Sequence, residues 1–443
     1  NRDGVILYTP DVYTPLFRVP SGGGTPQQVT TLPKGDQITH RLPYFMPDGE
    51  HFLFSEGRSA AWDGEVLAGS LKSRETHRVL DAPSNVAFSH GRLFFMRDGS
   101  LFSQPFSPGN LSLSGNPAAV VAGVETWPFK YLGNFSAVGS VLVYRLRRGQ
   151  QRELNWFDPA GHTSVPAAES GPYMSAQVSP DGKQMLVVRA SSESPLADVW
   201  TYTMATEVWA RLTTHRDQAY TTAWSPDGSR IALKAANDSI THLISSDRRE
   251  VGTVTGSGPG VGPVESWARD GSYALGTRQV RTTGLDLTRV SLASGSPIAV
   301  LYSTTADETS PVISPSGRLV AYLSNQSGRM ELYLMPVTDS TVHLPVSQDG
   351  AVSEDNLSAP AITWSTDGRT VYFIDARRQL MSAAVSDGSP VTIGRPIRVR
   401  GAPDAIANVS AAPDGRLLII RDDARNRVPL TVLANWPATI GDK

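Results

Sequence analysis

The sequence predicts an all-β protein made of repeated four-stranded antiparallel units. Three observations predict it: a turn tetrapeptide that recurs along the chain, a constant order of short strands after each copy, and the absence of helical periodicity. The turn is Ser179-Pro180-Asp181-Gly182, repeated as Ser225-Pro226-Asp227-Gly228. Variants are Met46-Pro47-Asp48-Gly49, Ala268-Arg269-Asp270-Gly271, Ser314-Pro315-Ser316-Gly317, Ser365-Thr366-Asp367-Gly368 and Ala412-Pro413-Asp414-Gly415. Asn1-Arg2-Asp3-Gly4 begins the series, and degenerate copies near His90-Gly91 and Val138-Gly139 keep its phase. Pro fixes φ near −65°, Asp bonds the backbone that follows it, and Gly accepts positive φ, so each copy joins two strands of a hairpin.

Successive turns stand about 42 to 51 residues apart, the length of one four-stranded propeller blade. After Gly182 the chain reads as a strand at Gln184 to Arg189, a polar loop, a strand at Asp198 to Tyr202, and a strand at Trp209 to Thr213. The same order recurs at Leu319 to Leu323, Glu331 to Pro336 and Val342 to Val346. With the residues ahead of each turn this gives four strands per unit, rich in β-branched and aromatic residues. No stretch keeps apolar residues at i, i+3, i+4 and i+7 between capping signals, so almost no helix is expected. The fold is a β-propeller of about nine to ten blade units.

Composition narrows the class. The 443 residues are 40% hydrophobic and 19% charged, with a formal net charge of −2, as in a folded globular protein. A nearly balanced charge without a basic stripe argues against nucleic acid as partner. No apolar window reaches the ~18 residues of a membrane span, so no direct membrane insertion is expected. Cys is absent, which removes disulfides, thiolate metal sites and a Cys nucleophile. The first residue is Asn1 rather than Met, so any targeting segment is expected upstream or already removed.

Six turns fall between Ser179 and Gly415, and about four units precede residue 170. The last unit offers strands at Val409 to Ala411, Leu417 to Arg421 and Leu430 to Ala434, but no fourth. One arrangement is a six-bladed ring over residues 171–443 with N-terminal blades, part of a second propeller, over residues 1–170. The other is one large ring in which Val5 to Tyr8 or Leu16 to Val19 completes the last blade. Rings usually stop near eight blades, which favours the first.

The Ser-Pro-Asp-Gly turn, the strand after it and a final strand ending in Leu212-Thr213 resemble the TolB-like propeller repeat over nearly the whole chain. Four islands, in order, resemble the propeller region C-terminal to bacterial membrane Ser/Thr kinases. They are Ile6 to Pro10 with Leu16 to Gly23, His40 to Gly49, Gly99 to Phe106, and Pro429 to Trp436. The resemblance implies a periplasmic or extracellular sensor module in a bacterium. The chain carries no Gly-rich phosphate loop, His-Arg-Asp or Asp-Phe-Gly, so kinase activity does not follow.

Chemistry was sought in the remaining residues. No Gly-x-Ser-x-Gly elbow is present, which argues against the hydrolase partner of prolyl-peptidase propellers. None of the eight His residues pairs with another at metal-ligand spacing. One Asp per turn is explained by turn geometry, since a calcium loop needs several oxygen donors at alternate positions. No cofactor and no metal ligand are expected. Trp224, Trp267 and Trp364 directly precede turns and read as packing between blades, whereas Trp62 and Trp127 fall outside that register as exposed-contact candidates. The Gly256 to Gly262 run reads as a loop.

Residues just ahead of the turns should stand where the innermost strand of each blade meets the channel mouth. They are His40, Arg41, Asp217, Tyr220, Glu265, Glu308, Asp355, Asn356 and Asn408. For His40 and Arg41 a structural reading, a loop cap and an ion pair, stands beside a ligand-facing one. The acids and amides of this set suit a cationic or amine-rich ligand, or a metal ion. The expected function is a non-catalytic binding or scaffold propeller that recognises a protein or small ligand, as a kinase sensor region or a peripheral subunit of a complex. The alternative is a lyase or hydrolase with its site in the channel mouth.

Overall fold

The computed structural model describes residues 1–10, 14–34, 38–58, 64–82, 84–127, 132–146, 151–190, 197–213, 219–235, 240–245, 250–255, 264–280, 282–291, 298–352, 361–423 and 429–439. The chain divides into two compact units, Asn1–Arg148 with Arg427–Lys443, and Gly149–Asn426. Strands dominate both, and the one helix among the described residues is the short Trp436–Thr439 segment.

The second unit is a ring of six antiparallel sheets. The first sheet runs Tyr173–Val178, Gln184–Ala190, Ala197–Thr203 and Val208–Arg211 in chain order. The next four sheets open with Ala219–Trp224, Val264–Trp267, Glu308–Ile313 and Ile362–Trp364. In each, the opening strand packs on the sheet before it. The sixth sheet is assembled from both ends of the unit: Ile406–Ala411 and Leu417–Asp422 supply its first two strands, Arg152–Asp158 and Thr163–Pro166 the other two. This is a six-bladed β-propeller.

The closing seam differs from the division expected at residue 170. Residues 152–166 belong to the ring, and Thr431–Ala434 does not: it pairs with Val141–Tyr144 in the first unit. Charge explains the register of the seam. Arg152 lies opposite Asp422 and Glu153 opposite Arg421, and both pairs form ion pairs, at 3.0 and 2.5 Å. Arg378 adds a second contact to Asp422 at 2.8 Å. Beneath them Leu154 and Trp156 pack with Ala176, Met185 and Ile420, while Phe157 packs with Ile374 and Ile406. A strand that sets two oppositely charged residues ahead of apolar bulk in this way fits one partner in one register.

The Ser-Pro-Asp-Gly turns form as expected, with Gly182 and Gly228 at φ 71 and 70°. Ser179 Oγ donates to Asp181 Oδ1 at 2.7 Å, and that oxygen also accepts from Lys183 N at 3.0 Å. Gln184 N donates back to Ser179 Oγ at 2.9 Å. The Ser225 and Ser365 turns repeat all three bonds. In the described turns the Asp therefore satisfies the loop that contains it.

The Leu-Thr signature has an equally local cause. Thr213 Oγ1 accepts from Val199 N at 2.9 Å and contacts Asp198 at the start of the third strand. Ser347 does the same for Leu332 N and Glu331. The hydroxyl closes the outer strand onto the third, where the ladder would leave an amide unpaired.

In the first unit, Ile38–Phe45, His51–Arg58, Gly64–Ser70 and Ser73–Leu80 form a four-stranded sheet, and a five-stranded sheet follows, built around Arg92–Arg97 and Ser100–Ser107. Val5–Tyr8 pairs with Phe17–Pro20 in a three-stranded sheet of this unit. Phe135–Val138, Val141–Tyr144 and Thr431–Ala434 make another. Trp436, 1% exposed, anchors the terminal segment by donating to Gly139 O at 2.9 Å and meeting Phe94 edge-on.

Candidate functional site

The opening strand of each ring sheet has one edge without a ladder partner in its own sheet, so its N–H groups need acceptors elsewhere. Side chains two residues ahead of the turn bond the backbone across the seams, three as acceptors and one as a donor to a carbonyl. Ser410 Oγ accepts from Val178 N at 3.3 Å, Ser266 Oγ from Ile313 N at 3.0 Å, and Thr363 Oγ1 from Ala411 N at 3.1 Å. Gln177 Nε2 donates to Thr222 O at 2.7 Å. These residues were not anticipated, although their column ahead of the turn was visible in the sequence. Trp224, Trp267 and Trp364 stand one residue later, and each packs on the preceding sheet.

A second regularity is a bulge in the same strand. The register slips at Met174, Tyr220, Glu265, Ser310 with Pro311, and Ala407. Ser310 takes φ 55°, as does Leu42 in the matching Leu42-Pro43 bulge of the first unit. Bulges turn a side chain or amide out of the ladder. Here the Ser310 amide turns toward the Glu265 carboxyl of the preceding sheet.

The candidates sort against this frame. Asn408 is fully buried and its Oδ1 accepts from Ala176 N at 3.2 Å, so it ties the sixth sheet to the first. His40, also fully buried, has both ring nitrogens engaged, by Thr30 Oγ1 at 2.8 Å and Glu56 Oε2 at 2.7 Å, and it meets Phe54 edge-on. Arg41 Nε donates to Thr39 Oγ1 at 3.0 Å. Asp217, Asp355 and Asn356 lie outside the described residues, as do Trp62, the Gly256 to Gly262 run and the side chains of Tyr220 and Trp127.

Glu265 and Glu308 are the two candidates that the fold brings to one seam, between the third and fourth sheets. Glu265 is partly exposed; burial pushes its carboxyl up to about 7, against the opposing influence of Thr277, the Ser310 amide and Lys234. Glu308 is fully buried. Its Oε1 accepts from Thr304 Oγ1 at 2.5 Å and Ser324 Oγ at 3.5 Å, while its Oε2 has no partner. Burial, with the nearby charge of Asp286, raises this carboxyl above its usual range. Asp286 Oδ1 is also buried without a hydrogen-bond partner. Among the described residues no group of three His, Cys, Asp or Glu side chains is placed to hold a metal ion.

The class is a β-propeller, fixed by six sheets closed through a shared blade. Solved structures with a similar course include a TolB-type protein of Agrobacterium tumefaciens, at 17% identity over 62% of this chain and 98% of that one, with a TM-score of 0.48. TolB of Acinetobacter baumannii is similar at 11% identity over 87% and 80%, TM-score 0.43. An oligogalacturonate lyase of Vibrio parahaemolyticus is similar at 15% identity over 67% and 79%, TM-score 0.40. No family model matches the chain, and no curated protein matches it.

Proposed function

We propose that the protein is a non-catalytic binding propeller that recognises a partner protein, as the extracytoplasmic sensor region of a membrane kinase or a peripheral subunit of a larger assembly. The observation that carries this reading is the outward face of the Phe135–Val138, Val141–Tyr144 and Thr431–Ala434 sheet. Val138 is 74% exposed, Val432 62% and the adjoining Leu430 64%, with Val141 on the same face. Among the described residues nothing pairs with the outer edge of Thr431–Ala434, whereas the third strand of the other closing sheet, Arg152–Asp158, carries Thr163–Pro166 on its outer edge. An uncharged, apolar edge one strand short of a full blade suits an extended partner segment, with main-chain bonds for affinity and alternate apolar side chains for specificity. No helix in the described residues is long and apolar enough to cross a membrane.

The test is affinity capture from membranes with the wild-type chain and a Val432→Glu variant, followed by mass spectrometry and crosslinking from position 432. A partner crosslinked in wild type and lost in the variant supports the reading; no reproducible partner counts against it. A second reading, an enzyme with Glu265 as general base, is favoured by a carboxyl held near neutrality beside Lys234. Turnover of a screened substrate that Glu265→Gln abolishes would replace the first reading with this one.

A further inference from the structure

The fourth ring sheet carries a cleft of about 440 Å³ between the loop ahead of its Glu331–Pro336 strand and the strand end at Pro345. That volume is in the range of small-ligand sites. Arg329 lines the cleft on a fixed mount. Its Nε donates to Glu331 Oε1 at 2.6 Å, and Glu331, 3% exposed, also accepts from the Gly350 amide at 3.0 Å and from Ser347 Oγ. The loop beneath Arg329 is tied as well, Gly328 N donating to Asn325 O at 2.8 Å and Ser327 Oγ to Arg329 O at 3.1 Å. A Cβ added at Gly328 would meet nothing within 4 Å, so the loop stands clear at that point.

The bond through Nε leaves the edge formed by the two terminal nitrogens of Arg329, which make no hydrogen bond among the described residues. In the first sheet, by contrast, Arg211 spends its Nη2 on Asp198. Tyr333 follows Glu331 by two residues, on the same face of the strand, and also lines the cleft. Its ring is stacked on Tyr322 at 5.8 Å, and its hydroxyl has no partner among the described residues. Pro345, opposite Tyr333 in register, adds an apolar wall.

We infer that this cleft binds a carboxylate, taken end-on by the two terminal nitrogens of Arg329, with the Tyr333 hydroxyl as a further donor. Two parallel N–H groups match the two oxygens of a planar carboxylate. Glu331 is the one acidic side chain lining the cleft, and both its oxygens are engaged, so the free edge of Arg329 awaits an outside acceptor. A phosphate dianion fits less well, since no second Lys or Arg lines the cleft to balance it.

The test is ligand-observed NMR titration of the full chain with benzoate, with benzamide and inorganic phosphate at matched ionic strength as controls. Benzoate should bind saturably and benzamide, its uncharged isostere, should not. Arg329→Lys keeps the charge but loses the planar edge, and should weaken benzoate about tenfold or more. Tyr333→Phe removes the hydroxyl and keeps the stacked ring, should weaken binding as well, and serves alone should the Lys variant fail to fold. A peptide with a free terminal carboxylate that displaces benzoate, while its amidated form does not, assigns the ligand to a chain terminus; displacement by small acids alone assigns it to a metabolite-sized acid. No saturable benzoate binding, equal binding of benzamide, tighter binding of phosphate, or affinity unchanged in both variants would overturn the assignment. Val432→Glu should leave benzoate binding unchanged, so failure of partner capture and failure of this site are separable.

Discussion

Two buried residues show how the same sequence position serves different ends. His40 and Glu308 each stand six residues ahead of their turn, at Met46 and Ser314, and each precedes a bulge that ends in Pro. His40 is saturated by Thr30 and Glu56, whereas Glu308 keeps a free oxygen. His40→Ala should therefore destabilise the first unit by about 2–3 kcal/mol, the cost of two lost bonds and a cavity against Phe54. Urea denaturation measures it. Glu265→Gln should do the opposite above neutrality. The folded value near 7 lies above the ordinary 4.5, so the carboxyl contributes stability below about pH 4.5 and loses it as pH rises through 7. At pH 8 the variant should exceed wild type by about 1–2 kcal/mol, allowing for partial exposure, and the gain should vanish at pH 4.

At the scale of elements, the turns carry the acid sensitivity. A hydrogen bond from Ser225, with others from Ser229, lowers Asp227 to about 2, and Asp181 and Asp367 are lowered for the same reason. These depressed values contribute stability above the ordinary carboxylate value of 3.8, lost as pH falls from there toward 2. Midpoints of urea unfolding should drop between pH 4 and pH 2.5, and Asp227→Asn should flatten that slope. Such behaviour was legible from Ser-Pro-Asp-Gly alone, because the turn's bonds close within five residues. The bulges were not legible. Whether Glu265 or Ser310 leaves the ladder depends on how many residues the opening strand spends before its turn, and the strand's partner counts them.

For the whole molecule, closure is the decisive feature. Leu154 and Trp156 on one face of the sealing strand, and Phe157 on the other, enter two cores of the ring. Leu154→Lys should cost more than about 4 kcal/mol in the second unit, since it buries an unpaired charge. Reversal by Glu153→Arg should weaken the seam, and addition of Arg421→Glu should restore part of the loss, a coupling of about 0.5–1 kcal/mol in a double-mutant cycle.

The repeat by itself determined the all-β class, the blade, the turn chemistry and the six turns from Ser179 to Gly415, because hairpins and blade packing are set by contacts near in sequence. The tertiary structure alone decided which distant strands meet: Arg152–Asp158 with Leu417–Asp422, and Val141–Tyr144 with Thr431–Ala434. Those pairings join residues 260 to 293 positions apart, where local pattern carries no register and only complementary charge and apolar faces select the partner. The same holds for the site. Glu265 and Glu308 could be named from their place before a turn, but the contact of Glu265 with the Ser310 amide, and the free oxygen that burial leaves on Glu308, exist only once the third and fourth sheets are packed.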